Sequence, residues 1–313
     1  MENVIFLGNG LNRLTGKADW ANLLKGLSVG RGKGRPGLDD GILSSWPLEF
    51  EKIYCERNQT DKETVSKNDL KKEIKEKIED GGKKLQEPPE SSSLIQEFTS
   101  LPVKHILTTN YDYNLEKAVN PQFRREKSPE KTKEKLFSLY RKIMPDNRPS
   151  REAGKVVWHI HGEIGGLESI CLGFEHYCAQ LAAMRRLLTR PHKDLPGGPY
   201  LNRFLETGDL DPCSWLTLFF THHIHIVGLS LSLMEIDLWW LLVYRFQYQL
   251  RHTRAPKNRI IYYHRSVGKD EKLQDELQLM SAFRVETRAL GSGREGWSAF
   301  YRQALGAVKT ELE

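Results

Sequence analysis

The stretch HILTTNYDYNLEKAV, residues 105–119, begins apolar, breaks into a polar cluster and ends on eight residues that read as the start of a helix. Between the two halves lie Thr108-Thr109-Asn110-Tyr111-Asp112, with no Gly or Pro to mark a simple turn. An amide, a carboxylate and two hydroxyls therefore stand at the mouth of a candidate strand.

Four further runs share its character. They are NVIFLG (3–8), KVVWHI (155–160), HHIHIVG (222–228) and NRIIYYH (258–264), beside VKHILTT (103–109) itself. Apolar continuity without alternation fits strands covered on both faces, as in a parallel sheet. Helical patterns fall between them: DWANLLKGL, DLKKEIKEKIED, SLIQEFTSL, FEHYCAQLAAMRRLL, LWWLLVYRFQYQLR and a closing GWSAFYRQALGAVKTELE. Strands alternating with helices predict an α/β fold with a Rossmann-like parallel sheet and helices on both faces. The long interval between the first two strands predicts a helical insertion at about 28–100, containing the glycine-rich SVGRGKGRPGLDDG. A second irregular cap is expected at about 165–215. The whole chain, 1–313, reads as one domain.

Composition narrows the class. Charged residues at 28% and a mean hydropathy of -0.55 point to a soluble, cytoplasmic protein. The most apolar stretch, IHIVGLSLSLMEIDLWWLLVYRF, carries Glu235 and Asp237 and a Gly-Leu-Ser-Leu-Ser break, so it reads as strand, loop and helix rather than a membrane span. MENVIFLGNG has no basic start and no long apolar run, and no signal peptide is expected. The net charge of +6 is partly local to RREKSPEKTKEKLFSLYRK, which reads as an exposed helix, and direct nucleic-acid binding is not expected. Cys55, Cys171, Cys178 and Cys213 form no C-x-x-C pair and suggest neither a zinc site nor a disulfide framework.

In an open α/β sheet, ligands bind outside the carboxyl ends of the strands. The turns there are Gly8-Asn9-Gly10-Leu11-Asn12, Thr108 to Asp112, His159-Ile160-His161-Gly162 and Gly228-Leu229-Ser230. Taken together, they have the pattern of one composite pocket. Gly8 and Gly10 would let backbone N–H groups approach a phosphate, although Arg13 stands where a dinucleotide fingerprint needs its third glycine. A plain tight turn is the alternative. His159 and His161, two apart on a strand, share a face and would permit a metal pair; His222, His223 and His225 could add ligands, but no carboxylate or cysteine sits at a supporting spacing, and no metal is expected. His161 is either a hydrogen-bonded histidine at the sheet edge or a general base beside the space opened by Gly162. Ser230 either caps the next helix or faces a phosphate.

The order of these pieces, GNGLN, TTNYD, HIHG and GLS, resembles the sirtuin family. It is most similar to the sirtuin-like branch of bacterial antiphage defence, whose members deplete NAD; DWANLL is similar to that branch's Trp-x-x-Leu-Leu pattern. The four-cysteine zinc module of deacetylating sirtuins has no counterpart, and Asn9 and Asn12 replace residues of their glycine loop. The resemblance implies NAD as substrate, with Asn110, His161 and Asp112 as the catalytic residues. Asn110 would order the attacking water, Asp112 would lie near the nicotinamide carboxamide, and His161 would face the ribose hydroxyls as base. It places Gly8, Asn9, Gly10, Asn12, Thr109, Tyr111, Gly228 and Ser230 around the dinucleotide. Cleaving the nicotinamide bond passes through an oxocarbenium-like ribose, as in other glycosyl hydrolyses.

The expected activity is NAD glycohydrolysis to nicotinamide and ADP-ribose by the toxic effector of an abortive-infection system, latent without a trigger. Family analogy offers a second subunit as the control, such as a HerA-type ATPase, a short Argonaute or a nucleotide-processing protein, or else homo-oligomerisation. A non-catalytic NAD or ADP-ribose sensor is the rival reading. A nucleic-acid-binding subunit and a deacylase rank behind it.

Overall fold

The computed structural model describes residues 1–14, 24, 27, 46–60, 64–84, 89–125, 139–149, 152–189, 191–192, 195–199, 214–252, 257–266, 271–292 and 295–313. Among them lie the strands β1 (Asn3–Leu7), β2 (His105–Thr108), β3 (Lys142–Ile143), β4 (Val156–His159), β5 (Pro191–His192), β6 (Leu195–Pro199), β7 (His223–Val227), β8 (Ile260–Arg265) and β9 (Val285–Leu290). Seven of them form one sheet in the order β3-β4-β2-β1-β7-β8-β9, and β5 and β6 form a separate antiparallel hairpin. All neighbours in the large sheet run parallel except the short edge strand β3. The fold is a Rossmann-like α/β sheet with helices on both faces.

The apolar runs explain this layering. Alternate side chains of a strand point to opposite faces. Val4, Phe6, Leu107, Trp158, Ile224 and Ile226 enter one core with the helices Phe174–Thr189, Trp215–Thr221 and Ile236–Arg251. Their neighbours Ile5, Leu7, Ile106, Val157 and Val227 enter a second core with Pro89–Ser100 and Trp297–Leu312. A strand buried on both faces has no polar side to display, so its sequence does not alternate.

Two strands of the large sheet escaped that criterion. β9 reads Val-Glu-Thr-Arg-Ala-Leu, with charged residues on its outer face. As an edge strand it needs only one partner, and Glu286 and Arg288 join Arg259 and Glu311 in an ion-pair cluster beside it. β3 has two residues and pairs with β4 through Lys142↔Trp158 and Ile143↔Val157.

The expected insertion contains the helices Trp46–Thr60 and Lys67–Lys84; Pro89–Ser100, within the same range, packs on the sheet as the crossover to β2. The glycine-rich 28–41 segment lies outside the described residues, as does most of DWANLLKGL. Leu24 and Leu27 are described, and both are buried in a third core with Phe50, Ile53, Leu70, Ile74, Tyr111 and Ile170. That core joins the helices Trp46–Thr60 and Lys67–Lys84 to the turns at the strand ends. Residues 126–138 of the basic segment are also outside the described residues. Its flanks are not a solvated helix: Lys142 is in β3, and Arg125 and Arg141 pair with buried Glu163. No described helix is long and apolar enough to cross a membrane.

Candidate active site

Register brings the four turns side by side. Leu7 pairs with both Thr108 and Val227, and Thr108 pairs with His159, so these four strands end level with one another. The strand order reverses between β1 and β7, which is where a doubly wound sheet opens its crevice.

At that reversal the two glycine turns are stitched together. Gly8 N–H donates to the Val227 carbonyl at 3.0 Å, and Gly10 N–H donates to the Gly228 carbonyl at 2.8 Å. A Cβ on Gly8 would stand 2.4 Å from Leu229 Cα, and one on Gly10 would stand 2.7 Å from Gly228 O. The glycines thus serve backbone contact between the turns, and their own N–H groups are occupied rather than offered to a phosphate. Gly228 has φ +69°, which suits glycine. Ser230 is exposed and lies too far ahead of Ile236–Arg251 to cap it, since Glu235 holds the N-cap position.

The turn after β2 is clasped from both sides. Asn12 donates to Asp112 Oδ2 at 2.6 Å, and Asp112 Oδ1 accepts from Asn114 N–H at 2.9 Å. Asp112 is thereby tied to the turn after β1 and to the helix that follows. Tyr111 donates to the Cys171 carbonyl at 2.5 Å, while its own carbonyl accepts from Ile164 N–H at 3.0 Å. Thr109 and Asn110 are both buried. Asn110 N–H donates to Thr108 Oγ1 at 3.0 Å, yet its side-chain Oδ1 is buried with no hydrogen-bond partner.

His161 lies just beyond β4, before Gly162, whose φ of +95° carries the chain back under Ser169 and Ile170. Its Nε2 meets Asp237 Oδ2 at 3.0 Å and lies 3.8 Å from Glu235 Oε2. Gln180 donates to the same Asp237 oxygen at 2.6 Å, and the Tyr177 ring meets the imidazole edge-on. Burial opposes the His161 cation, but the Asp237 charge and hydrogen bond, with Glu235 behind them, outweigh it and raise the pKa. Glu235 is pushed up to about 7 by burial, against the pull of His161. Asp237 Oδ1 and Glu235 Oε2 have no hydrogen-bond partner. Trp46, Pro47, Tyr111, Cys171, Leu172, Tyr177, Ser232, Met234 and Glu235 line a small adjoining cleft that opens to solvent.

Asp237 and Glu235 are the functional candidates that sequence reasoning overlooked, having weighed them only as charges inside an apolar stretch. Their signal was position: both follow the turn after β7, Glu235 as the N-cap of the helix Ile236–Arg251 and Asp237 in its first turn. His159 and His161 do not form a pair, because His159 reaches Glu116 instead. His223 pairs in register with Asn3, at the opposite end of β7 from Gly228, so the His222–His225 group is remote from His161. Among the described residues, His161, Glu235 and Asp237 are the group whose ligand atoms lie close enough to hold a cation. Nε2 of His161 is already engaged by Asp237, which a cation would have to displace.

Strand order and level strand ends define a doubly wound α/β protein, a class whose ligands bind outside the strand carboxyl ends. Residues 104–278, more than half of the chain, match the family model of the SIR2-like domain, and the chain belongs to that family. SIR2-like domains are often NAD-dependent enzymes, and membership brings the involvement of NAD. No curated protein gives a significant match.

Proposed function

We propose that this protein hydrolyses NAD to nicotinamide and ADP-ribose, as the regulated effector of an antiphage system. The observation that carries the reading is the buried, partnerless amide oxygen of Asn110 at the end of β2, one strand from the turn that holds His161. An oxygen buried without a donor costs roughly 1–3 kcal/mol. Asp237 Oδ1 and Glu235 Oε2 add two more such acceptors. Ribose hydroxyls and water are donors, so a ribose and an attacking water fit these groups.

The chemistry follows from what each residue can do. Nicotinamide departs from NAD as a neutral molecule and needs no acid. Asn110 orients water. His161, held through Nε2 by Asp237, presents its other nitrogen to take a proton from a hydroxyl or from that water. Asp112, fixed by Asn12 and Asn114 N–H, shapes the floor of the site. His161 and Asp237 are nearly closed to solvent, which suits a latent enzyme opened by a partner subunit, self-association or a nucleotide signal. The same closure suits a subunit that only binds NAD or ADP-ribose and signals through a partner.

Chromatographic product analysis distinguishes the two. Wild type, alone and with its genomic neighbour's product, is expected to release nicotinamide and ADP-ribose. Asn110→Ala is expected to lose about a hundred- to ten-thousand-fold in turnover, the scale of lost positioning and proton transfer. Undiminished biological effect in Asn110→Ala and His161→Ala would establish the binding-only reading instead.

A further inference from the structure

The structure places a second buried histidine behind Asn110. His159 Nδ1 lies 2.7 Å from the Asn110 carbonyl oxygen, and its Nε2 lies 2.7 Å from Glu116 Oε1. The side chains of His159 and Glu116 are fully buried. Neither residue lines the cleft beside His161, and the proposed reaction assigns them no role.

The Asn110 carbonyl can only accept, so Nδ1 must carry a proton. An ionised carboxylate also only accepts, so beside Glu116 in that form Nε2 carries one too. We infer that His159 is a buried imidazolium, held charged by Glu116, and that it acts as a positioning residue which fixes Asn110 through its main-chain carbonyl. This inference rests on the proposed hydrolysis for its kinetic consequence, but not for its geometry.

The surroundings support a charged pair. Glu116 follows the Asp112 turn on the helix Asn114–Val119. The Tyr113 ring stands edge-on to His159 at 5.9 Å. Glu163 is the other acid that acts on His159, and its charge is matched by Arg125 and Arg141. Across the sheet His159 is held in register with Thr108, the last residue of β2. In so dry a setting a charge-assisted bond is shorter and stiffer than a neutral one, and it bears on the backbone of the residue whose amide must aim a water. Helix, β2 and β4 are thereby locked in a single register around Asn110.

The test is the variant Glu116→Gln, which keeps a carbonyl to accept from Nε2 but removes the charge. Two readouts are taken. The first is nitrogen NMR of selectively labelled histidine at neutral pH: wild type should show a buried ring protonated on both nitrogens whose signals are absent in His159→Gln and shifted toward the neutral form in Glu116→Gln. A neutral His159 in wild type would overturn the inference, whatever the enzyme does. The second is steady-state hydrolysis, where Glu116→Gln should lower kcat about tenfold to a hundredfold with KM within about twofold, and Glu116→Asp should restore part of it. An unchanged kcat in folded Glu116→Gln would overturn the positioning role. No hydrolysis in wild type would count against the proposed reaction alone, and the ring's protonation would then decide the inference.

Discussion

His161 faces two carboxylates, and the charge of one bears on the basicity it offers. Burial opposes the His161 cation, but Asp237 and behind it Glu235 raise its pKa, and Glu235 is itself raised to about 7 by burial. A base must be neutral to accept a proton, so turnover should rise with pH through the His161 titration. Replacing Glu235 with Gln removes a negative neighbour and lowers that titration. The acid limb of the pH–rate profile should therefore move to lower pH in Glu235→Gln, and an unmoved limb would show that Glu235 does not act on the base. At this scale Asn110, Asp112 and His161 were legible in the sequence as polar residues closing apolar strands. Asp237, Glu235 and Glu116 were not, because a carboxylate within a helix looks alike whether it faces solvent or a histidine.

At the scale of elements, the meeting of the turns after β1 and β7 decides the shape of the crevice. Gly8 has backbone where a side chain would go, 2.4 Å away, and neither turn can yield without breaking the Gly8 N–H bond to Val227. Gly8→Ala should cost at least the roughly 1–3 kcal/mol typical of overpacking, read from urea denaturation. Gly306 is the control. It lies inside the helix Trp297–Leu312, and beyond the helix's own backbone a methyl group added there would meet nothing within 4 Å. Gly306→Ala should therefore stabilise by about 0.5–1 kcal/mol. Glycine spacing alone could not separate these cases, nor tell a phosphate cradle from a backbone contact. Five of the strands were legible because both faces are buried. β9 was not, since an edge strand tolerates the charges that mask it.

Over the whole molecule, Glu163 ties distant segments together. It accepts from Arg125 Nε at 2.9 Å and Nη2 at 2.8 Å, from Arg141 at 2.6 Å and from Tyr113 at 2.6 Å, while Tyr113 Oη accepts from Gly165 N–H at 2.9 Å. Burial would push this acid up, but the Arg125 hydrogen bonds and charge hold it down at about 2, from 4.5. A depressed carboxyl pKa contributes stability that is fully present above the unfolded value and lost as pH falls through the folded one. The protein should therefore lose roughly 3 kcal/mol between about pH 4.5 and 2 from this group. Denaturation across that range should show the loss in wild type and a smaller one in Glu163→Gln.

The chain's own pattern determined the α/β class, the central strands and the turn residues of the crevice, because burial on two faces and the break at a strand end both write themselves locally into residue type. What only the tertiary structure decided is which groups meet: Asp237 with His161, Glu116 with His159, two arginines from the basic segment with Glu163. Those pairings join residues 22 to 76 positions apart. They exist because strand register and helix packing bring the residues within bonding distance, and nothing in the local spacing of either partner records the other.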